Sequence, residues 1–330
     1  MAANKEKVLI LPASHEFSPS QLALVVFLRE IGYRPDTILC SSGGSIAATI
    51  ACSAGFERDF PEFKQRIDSL SNYISTKLYL SKHRKIITIP FSIYALLYPT
   101  IYNKGRDPKK TPFEFNLNQT SIIIGTKNVD SGVNTIWYTK EYPATSHGNY
   151  ELKKIENSSD YLKIVRASSS IPGIVPPIKI KGMKYQDSGM DTICPLECVI
   201  DKYSIECHLI FAVPFNPFDC FLDRNLSDNI QETLKEVMGY RKNSKIKETF
   251  LQCLELLGND ESKIETNSGT SFHELIIALN NTDDCRKSII LIYPNKPYKV
   301  NLFNTRSGDY TKAMNNTYRE GFSFSQYMVF

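Results

Sequence analysis

The chain has 330 residues, of which 42% are hydrophobic and 22% charged, and its formal net charge is +4. A chain of this length and composition can bury a large core, which excludes wholesale disorder. The small net charge gives no support for nucleic-acid binding, and no basic stripe interleaved with aromatic residues runs along the chain. We therefore expect a globular protein that does not bind nucleic acid.

The first predicted elements are a strand, a loop and an amphipathic helix. The apolar run at residues 7–11 predicts the strand, and the apolar spacing over 18–31 predicts a helix that Gly32 ends. Either Ser18 or Ser20 is expected to cap this helix.

A second strand leads into a turn rich in serine and glycine. Residues 37–40 are apolar, residues 41–45 read Ser-Ser-Gly-Gly-Ser, and a small-residue helix follows over 46–54. A serine at such a strand–turn–helix junction is exposed above the helix N-terminus, where the first-turn N–H groups and the helix dipole face its target. The turn is therefore a candidate site for a hydrolytic nucleophile.

Two serines of this turn compete for the nucleophile's position. We favour Ser42 because the serine of such a turn directly follows the strand, whereas Ser45 would already lie in the first helical turn. Two other interpretations stay open from the local sequence. The serine could cap the helix, or the turn could cradle a phosphate, as in a nucleotide-binding protein.

The next segments alternate between predicted helix and strand. Residues 57–80 have the mixed composition of a helix, and the β-rich runs at 121–125 and 135–138 flank a turn signal, which predicts a hairpin. Residues 161–168 suit a short helix.

An apolar segment over 86–102 interrupts this pattern, with basic residues at 82–85, Lys104 and Arg106 on its flanks. It is shorter than the roughly 20 apolar residues of a bilayer span, and two prolines break it. Its tyrosines recur every four residues, which suits a helix in the headgroup region or a lid over an active site. An ordinary core helix is the competing interpretation.

A second motif lies at 167–195. It contains an Ala-Ser-Ser-Ser-Ile-Pro-Gly run at 167–173 and the sequence Tyr-Gln-Asp-Ser-Gly at 185–189. Asp187 is expected on a tight turn at a strand end, where it either caps the turn or acts as a base. Asp191 is the nearby alternative and is more typical of a surface turn.

The last third of the chain predicts further α/β elements. Residues 205–214 and 288–293 predict buried strands, and 225–257 predict a charged helix. Residues 258–270 are expected to form a linker or disordered loop, and 303–327 end in helix-like residues.

Together, residues 34–48, 167–173 and 185–189 resemble the patatin-like phospholipase family over roughly residues 5–215. The resemblance implies an α/β fold, with a three-layer α/β/α arrangement around a central, mostly parallel sheet. It also implies a Ser–Asp dyad without a catalytic histidine, in which Ser42 is the nucleophile and Asp187 the base. No cofactor or metal is implied.

The loop after the first strand departs from the family. The family's loop is rich in glycine and carries a basic residue, and it supplies N–H donors to the oxyanion. Here the glycine positions fall on Ala13, Ser14, His15 and Ser18, and the basic position falls on Phe17. We assign Ala13, Ser14, His15, Glu16 and Gly43 to the oxyanion and substrate region, although non-glycine residues reach positive φ only at a cost. His15 could alternatively donate to the oxyanion from its side chain or pair with the serine.

The eight cysteines are scattered, without zinc-type spacing, and the N-terminus lacks a signal-peptide core. This pattern favours reduced thiols in an intracellular, cytoplasmic protein, with peripheral membrane association through 82–106 as a further expectation.

The sequence as a whole therefore predicts one patatin-like domain over 1–330, with an apolar insertion at 77–110 and C-terminal elements at 216–330 that complete the fold. Its predicted function is lipid acyl hydrolysis of the phospholipase A type, acting on a lipid ester. The alternative is a weak or inactive relative that binds lipid or a protein partner in the same cleft. The sequence does not indicate an oligomeric state.

Overall fold

The computed structural model describes the greater part of the chain. The described residues are 6–14, 17–83, 120–140, 150–172, 176–189, 207–216, 248, 264–270, 272–280, 287–300 and 308–329.

The described strands form one sheet of eleven strands in the order β5-β4-β3-β2-β1-β8-β10-β11-β9, with β6 and β7 joined to it at β3. The five central strands, from β3 to β10, run parallel, and antiparallel pairs lie outside them. The strands are β1 (Glu6–Leu11), β2 (Thr37–Ser41), β3 (Ser121–Asn128), β4 (Asn134–Tyr138), β5 (Tyr150–Lys154), β6 (Ile178–Ile180), β7 (Met183–Gln186), β8 (Cys207–Ala212), β9 (Ile264–Gly269), β10 (Lys287–Pro294) and β11 (Phe322–Val329).

The helices that the structure describes contribute to one apolar cluster on one face of the sheet, together with the alternate side chains of the central strands. They are α1 (Ser18–Glu30), α2 (Gly43–Ala54), α3 (Phe60–His83), α4 (Ser158–Ser168), α5 (Phe272–Asn280) and α6 (Asp309–Glu320). The fold is therefore α/β with a mostly parallel centre, which confirms the predicted fold class.

The opposite face of the sheet is buried as well. Val8, Ile10 and Leu39 belong to a second apolar cluster with residues of β3, β8 and β10. Central strands that are buried on both faces read as continuous apolar runs, which is why the sequence shows them so clearly. The helical layer expected over this second face lies outside the described residues.

One predicted element near the C-terminus is wrong, and another is correct only in part. Residues 264–269 form β9 rather than a linker. This strand is polar, and among the described residues it pairs with β11 alone, at one end of the sheet. The predicted final helix ends at Glu320, where Gly321 takes a φ of 77°, and β11 follows. The alternation of aromatic and polar residues in Phe322–Val329 has the period of a strand, not of a helix.

The expected serine caps of α1 are also wrong. Phe17 occupies the cap position, without a side-chain cap. The Ser18 hydroxyl donates to the Gly43 carbonyl, and the Ser20 hydroxyl donates to the Tyr298 carbonyl. These two buried hydroxyls join α1 to other parts of the chain, because a buried hydroxyl needs a hydrogen-bond partner.

Candidate active site

The candidate site forms where two strands meet end to end along one edge of β3. Residues 121–125 of β3 pair with β2, and residues 127–128 pair with β7, which runs in the opposite direction. The N–H of Ser121 donates to the Asp36 carbonyl, and the N–H of Val129 donates to the Lys184 carbonyl. Ser121 and Val129 are separated by an even number of residues. Because alternate residues of a strand face the same neighbour, β2 and β7 occupy the same edge of β3. The end of β2 therefore meets the end of β7.

Ser42 and Asp187 lie at this junction and contact each other. The Ser42 hydroxyl donates to the Asp187 carboxylate, with Oγ 2.6 Å from Oδ2. Both residues are almost fully buried, with 3% and 4% of their surface exposed. A short hydrogen bond from a hydroxyl to a carboxylate is the arrangement from which a carboxylate can take a proton.

Ser42 has an unusual backbone conformation. Its φ is 51° and its ψ is −126°, a combination that residues with a Cβ rarely adopt. Such strain costs about 1–3 kcal/mol and tends to occur at functional sites. Ser42 occupies the cap position of α2 but makes no side-chain cap, so its hydroxyl is not used for capping.

Asp187 follows directly after β7, as the sequence predicts. Its second oxygen, Oδ1, accepts the N–H of Gly189 at 2.7 Å, and its own N–H donates to the Ser170 carbonyl at 2.9 Å. The turn-capping and base interpretations are therefore compatible, because each uses a different carboxylate oxygen.

The competing side chains of the turn have other partners. The Ser45 hydroxyl donates to the Ser42 carbonyl at 2.6 Å, which places Ser45 in the first turn of α2. The Cys40 thiol is buried and points to the Ile123 carbonyl. Burial raises the pKa of the Cys40 thiol well above its ordinary value, so Cys40 is not an activated nucleophile.

The N-terminus of α2 lies against the end of β1. A Cβ on Gly44 would lie 2.7 Å from the Pro12 carbonyl oxygen and would also collide with the Leu11 carbonyl, so this close approach needs glycine. The contact places the start of the 12–18 loop beside the turn that carries Ser42. Within the described residues, no acceptor is found for the N–H groups of Ser14 and Gly43.

A model of patatin-like phospholipases matches residues 20–197. The chain belongs to the patatin-like phospholipase family. The matched range includes Ser42 and Asp187 and begins after the divergent loop at 12–18. The solved structure of VipD from Legionella pneumophila is similar at 11% identity, over 97% of this chain and 68% of that chain, with a TM-score of 0.38. No curated protein matches the chain.

Membership of this family indicates lipid acyl hydrolases as the general class. Three parts of the site predicted from sequence lie outside the described residues: His15 and Glu16, Asp191, and the apolar segment at 86–102. No described helix has both the length and the apolar character needed to cross a bilayer. The described part of the chain likewise holds no group of three or more side chains suited to a metal ion.

One contact of the patatin-like site was missed by the sequence analysis. The N–H of Ser42 donates to the Ser168 hydroxyl, which itself donates to the Gly125 carbonyl. The sequence carried a signal, since Ser168 belongs to the 167–173 motif. That signal identified the family but did not reveal the contact.

Proposed function

We propose that this patatin-like protein hydrolyses lipid esters with Ser42 as nucleophile and Asp187 as base. One observation carries the proposal: the hydrogen bond from the Ser42 hydroxyl to Asp187 at a strained strand–helix turn. A serine is a weak nucleophile until a neighbouring base takes its proton, and Asp187 is the base within reach.

The proposed reaction has two halves. Ser42 Oγ attacks the ester carbonyl while its proton passes to Asp187, and Asp187 then gives this proton to the leaving alcohol, which leaves an acyl-serine. Water then attacks the acyl-serine while Asp187 takes a proton from that water, and Asp187 returns this proton to Ser42 Oγ as the carboxylic acid is released. The N–H groups of Gly43 and of the 13–16 loop are the proposed donors to the oxyanion, aided by the N-terminus of α2.

A lipid ester is the proposed substrate class because the family acts on lipids. A phospholipid headgroup is a less secure assignment than the ester itself, since Phe17 stands where the family has a basic residue. We further propose one domain over 1–330 and contact with membrane surfaces through 82–106.

A second candidate is an inactive relative that binds lipid or a protein partner in the same cleft. The absence of glycine from residues 12–18 favours it. Losing one oxyanion donor typically costs about 2.7–4 kcal/mol of transition-state stabilisation, so this loop decides whether the chemistry proceeds.

A fluorophosphonate probe tests the proposal because it reports an activated serine whatever the natural substrate is. The comparison uses the wild-type protein, Ser42→Ala and Ser45→Ala as the matched control. We expect labelling of the wild type, complete loss in Ser42→Ala and most of the labelling kept in Ser45→Ala.

Loss of labelling only in Ser45→Ala would show that the wrong serine is assigned. A folded wild type that does not label, together with no hydrolysis of soluble acyl esters, would favour the inactive relative.

A further inference from the structure

The end of the β2–β3 ladder leaves two backbone groups facing each other across a gap. The last register pair is Ser41 with Gly125. Backbone groups of β3 face β2 at alternate residues, and the bond from the Ser121 N–H to the Asp36 carbonyl shows that the odd-numbered residues do so. The Gly125 carbonyl therefore faces the N–H of Ser42. A regular continuation of β2 would join these two groups directly, but β2 ends at Ser41, the chain turns at Ser42, and no direct bond between the two groups is found among the described residues.

The Ser168 hydroxyl fills this gap. It accepts the N–H of Ser42 at 2.9 Å and donates to the Gly125 carbonyl at 2.8 Å. Ser168 is the last residue of α4 and is fully buried. One hydroxyl therefore satisfies both groups that the turn takes out of the ladder, neither of which water can reach.

The same segment also contacts Asp187. The Ser170 carbonyl accepts the N–H of Asp187 at 2.9 Å, two residues beyond Ser168. The C-terminal end of α4 thus bonds to the backbone of both Ser42 and Asp187. One short segment, from the end of α4 at Ser168 to Ser170, therefore contacts both residues.

We propose that Ser168 is a positioning residue that holds Ser42 in its strained conformation, with Oγ aimed at Asp187. The role in catalysis rests on the proposed function. Without the Ser168 hydroxyl, Ser42 can relax toward the strand conformation and bond to Gly125 directly. Its hydroxyl would then move away from the carboxylate, and a displacement of about 1 Å can cost about 10²-fold in rate.

The test compares Ser168→Ala with a matched control, Ser20→Ala. Ser20, on α1, is equally buried. Its hydroxyl accepts the N–H of Tyr298, donates to the Tyr298 carbonyl and also contacts the Thr317 hydroxyl. The loss of stability should therefore be similar in the two variants. Fluorophosphonate labelling is measured over a range of probe concentrations, and each rate is divided by the titrated concentration of active sites.

We expect the limiting labelling rate of Ser168→Ala to fall by about 10²-fold, with the half-saturating probe concentration unchanged. Ser20→Ala should keep the wild-type rate. If Ser168→Ala does not fold, Ser168→Cys keeps the side-chain size while weakening both hydrogen bonds, and Ser20→Cys is its control. Equal rates in the Ser168 and Ser20 variants would overturn the proposal.

Hydrogen exchange of the 40–46 peptide separates this inference from the proposed function, because it does not need activity. Exchange should be faster in Ser168→Ala than in Ser20→Ala. If the wild type does not label, the hydrolytic function fails, and faster exchange only in Ser168→Ala would still support the role in holding the turn. Equal exchange in both variants would overturn that role as well.

Discussion

The two carboxylate oxygens of Asp187 have different partners, and this division lets one residue do two things. Oδ1 holds the turn through Gly189, and Oδ2 accepts from Ser42. A carboxylate whose position is fixed by one oxygen presents the other in a constant direction. Proton transfer needs that constancy, because it depends on heavy-atom distances of about 2.6–3.2 Å.

Asp187→Asn separates these two roles. The amide oxygen can still accept from Gly189, so the turn should keep its shape, but the amide nitrogen cannot take the proton of Ser42. We expect kcat for a soluble acyl ester to fall by about 10²–10⁴-fold with little change in Tm. The measurement is steady-state hydrolysis together with thermal unfolding.

The double variant Ser42→Ala with Asp187→Asn provides the internal check. If the two residues act as one unit, it should be about as inactive as Ser42→Ala alone, because such effects are not additive. Asp130→Asn is the control at another turn aspartate, which accepts the N–H of Lys184 and lies in an exposed turn. Near-wild-type activity of Asp187→Asn would remove Asp187 from the mechanism.

At the scale of elements, the contact between β1 and α2 determines where Ser42 lies. Gly44 lets the first turn of α2 rest on the carbonyls of Leu11 and Pro12. Gly44→Ala should lower the free energy of unfolding by about 3 kcal/mol or more, since the backbone on either side has to shift. Urea unfolding measures this loss.

Gly132→Ala is the control, because Gly132 has a left-handed backbone conformation but room for a Cβ. Its φ is 72°, and the described chain leaves room for a Cβ there. Left-handed strain alone should cost about 1–2 kcal/mol. A cost for Gly44→Ala no larger than that of Gly132→Ala would show that α2 does not depend on this close approach.

The elements that the sequence predicted well are those whose neighbours cover both faces. Strands β1, β2, β8 and β10 read as apolar runs because both of their faces are buried. Strands β9 and β11 were missed because β9 is polar and β11 alternates aromatic and polar residues, and these two paired strands lie more than 50 residues apart in the sequence. No local sequence pattern identifies the strand with which each of them pairs.

The candidate site divides in a similar way. Ser42 and Asp187 were found from motifs in two short stretches, and their contact follows from the shared edge of β3. Ser168 could not be assigned a role from sequence, because its function depends on a gap in a ladder between strands that are about 80 residues apart. Only the register of β2 with β3 shows that gap.

At the scale of the whole molecule, a lipid hydrolase has to meet its substrate at an interface. The sequence places basic residues at Lys82, Arg84 and Lys85 beside the apolar segment, whereas the net charge of the whole chain is only +4. Attraction to anionic lipid should therefore come from a local cluster. Each basic residue near such a surface contributes about 1 kcal/mol, and salt screens this contribution.

Replacing these three residues with glutamine should weaken binding to phosphatidylserine-containing vesicles by about 10-fold or more at low salt, and by less at high salt. The matched control replaces Lys179, Lys184 and Lys296, which are exposed, so that both variants carry a net charge of +1. Vesicle sedimentation at two salt concentrations measures the difference. Equal weakening in both variants would assign the attraction to overall charge. Unchanged binding would favour the alternative that the apolar segment at 86–102 is an ordinary core helix.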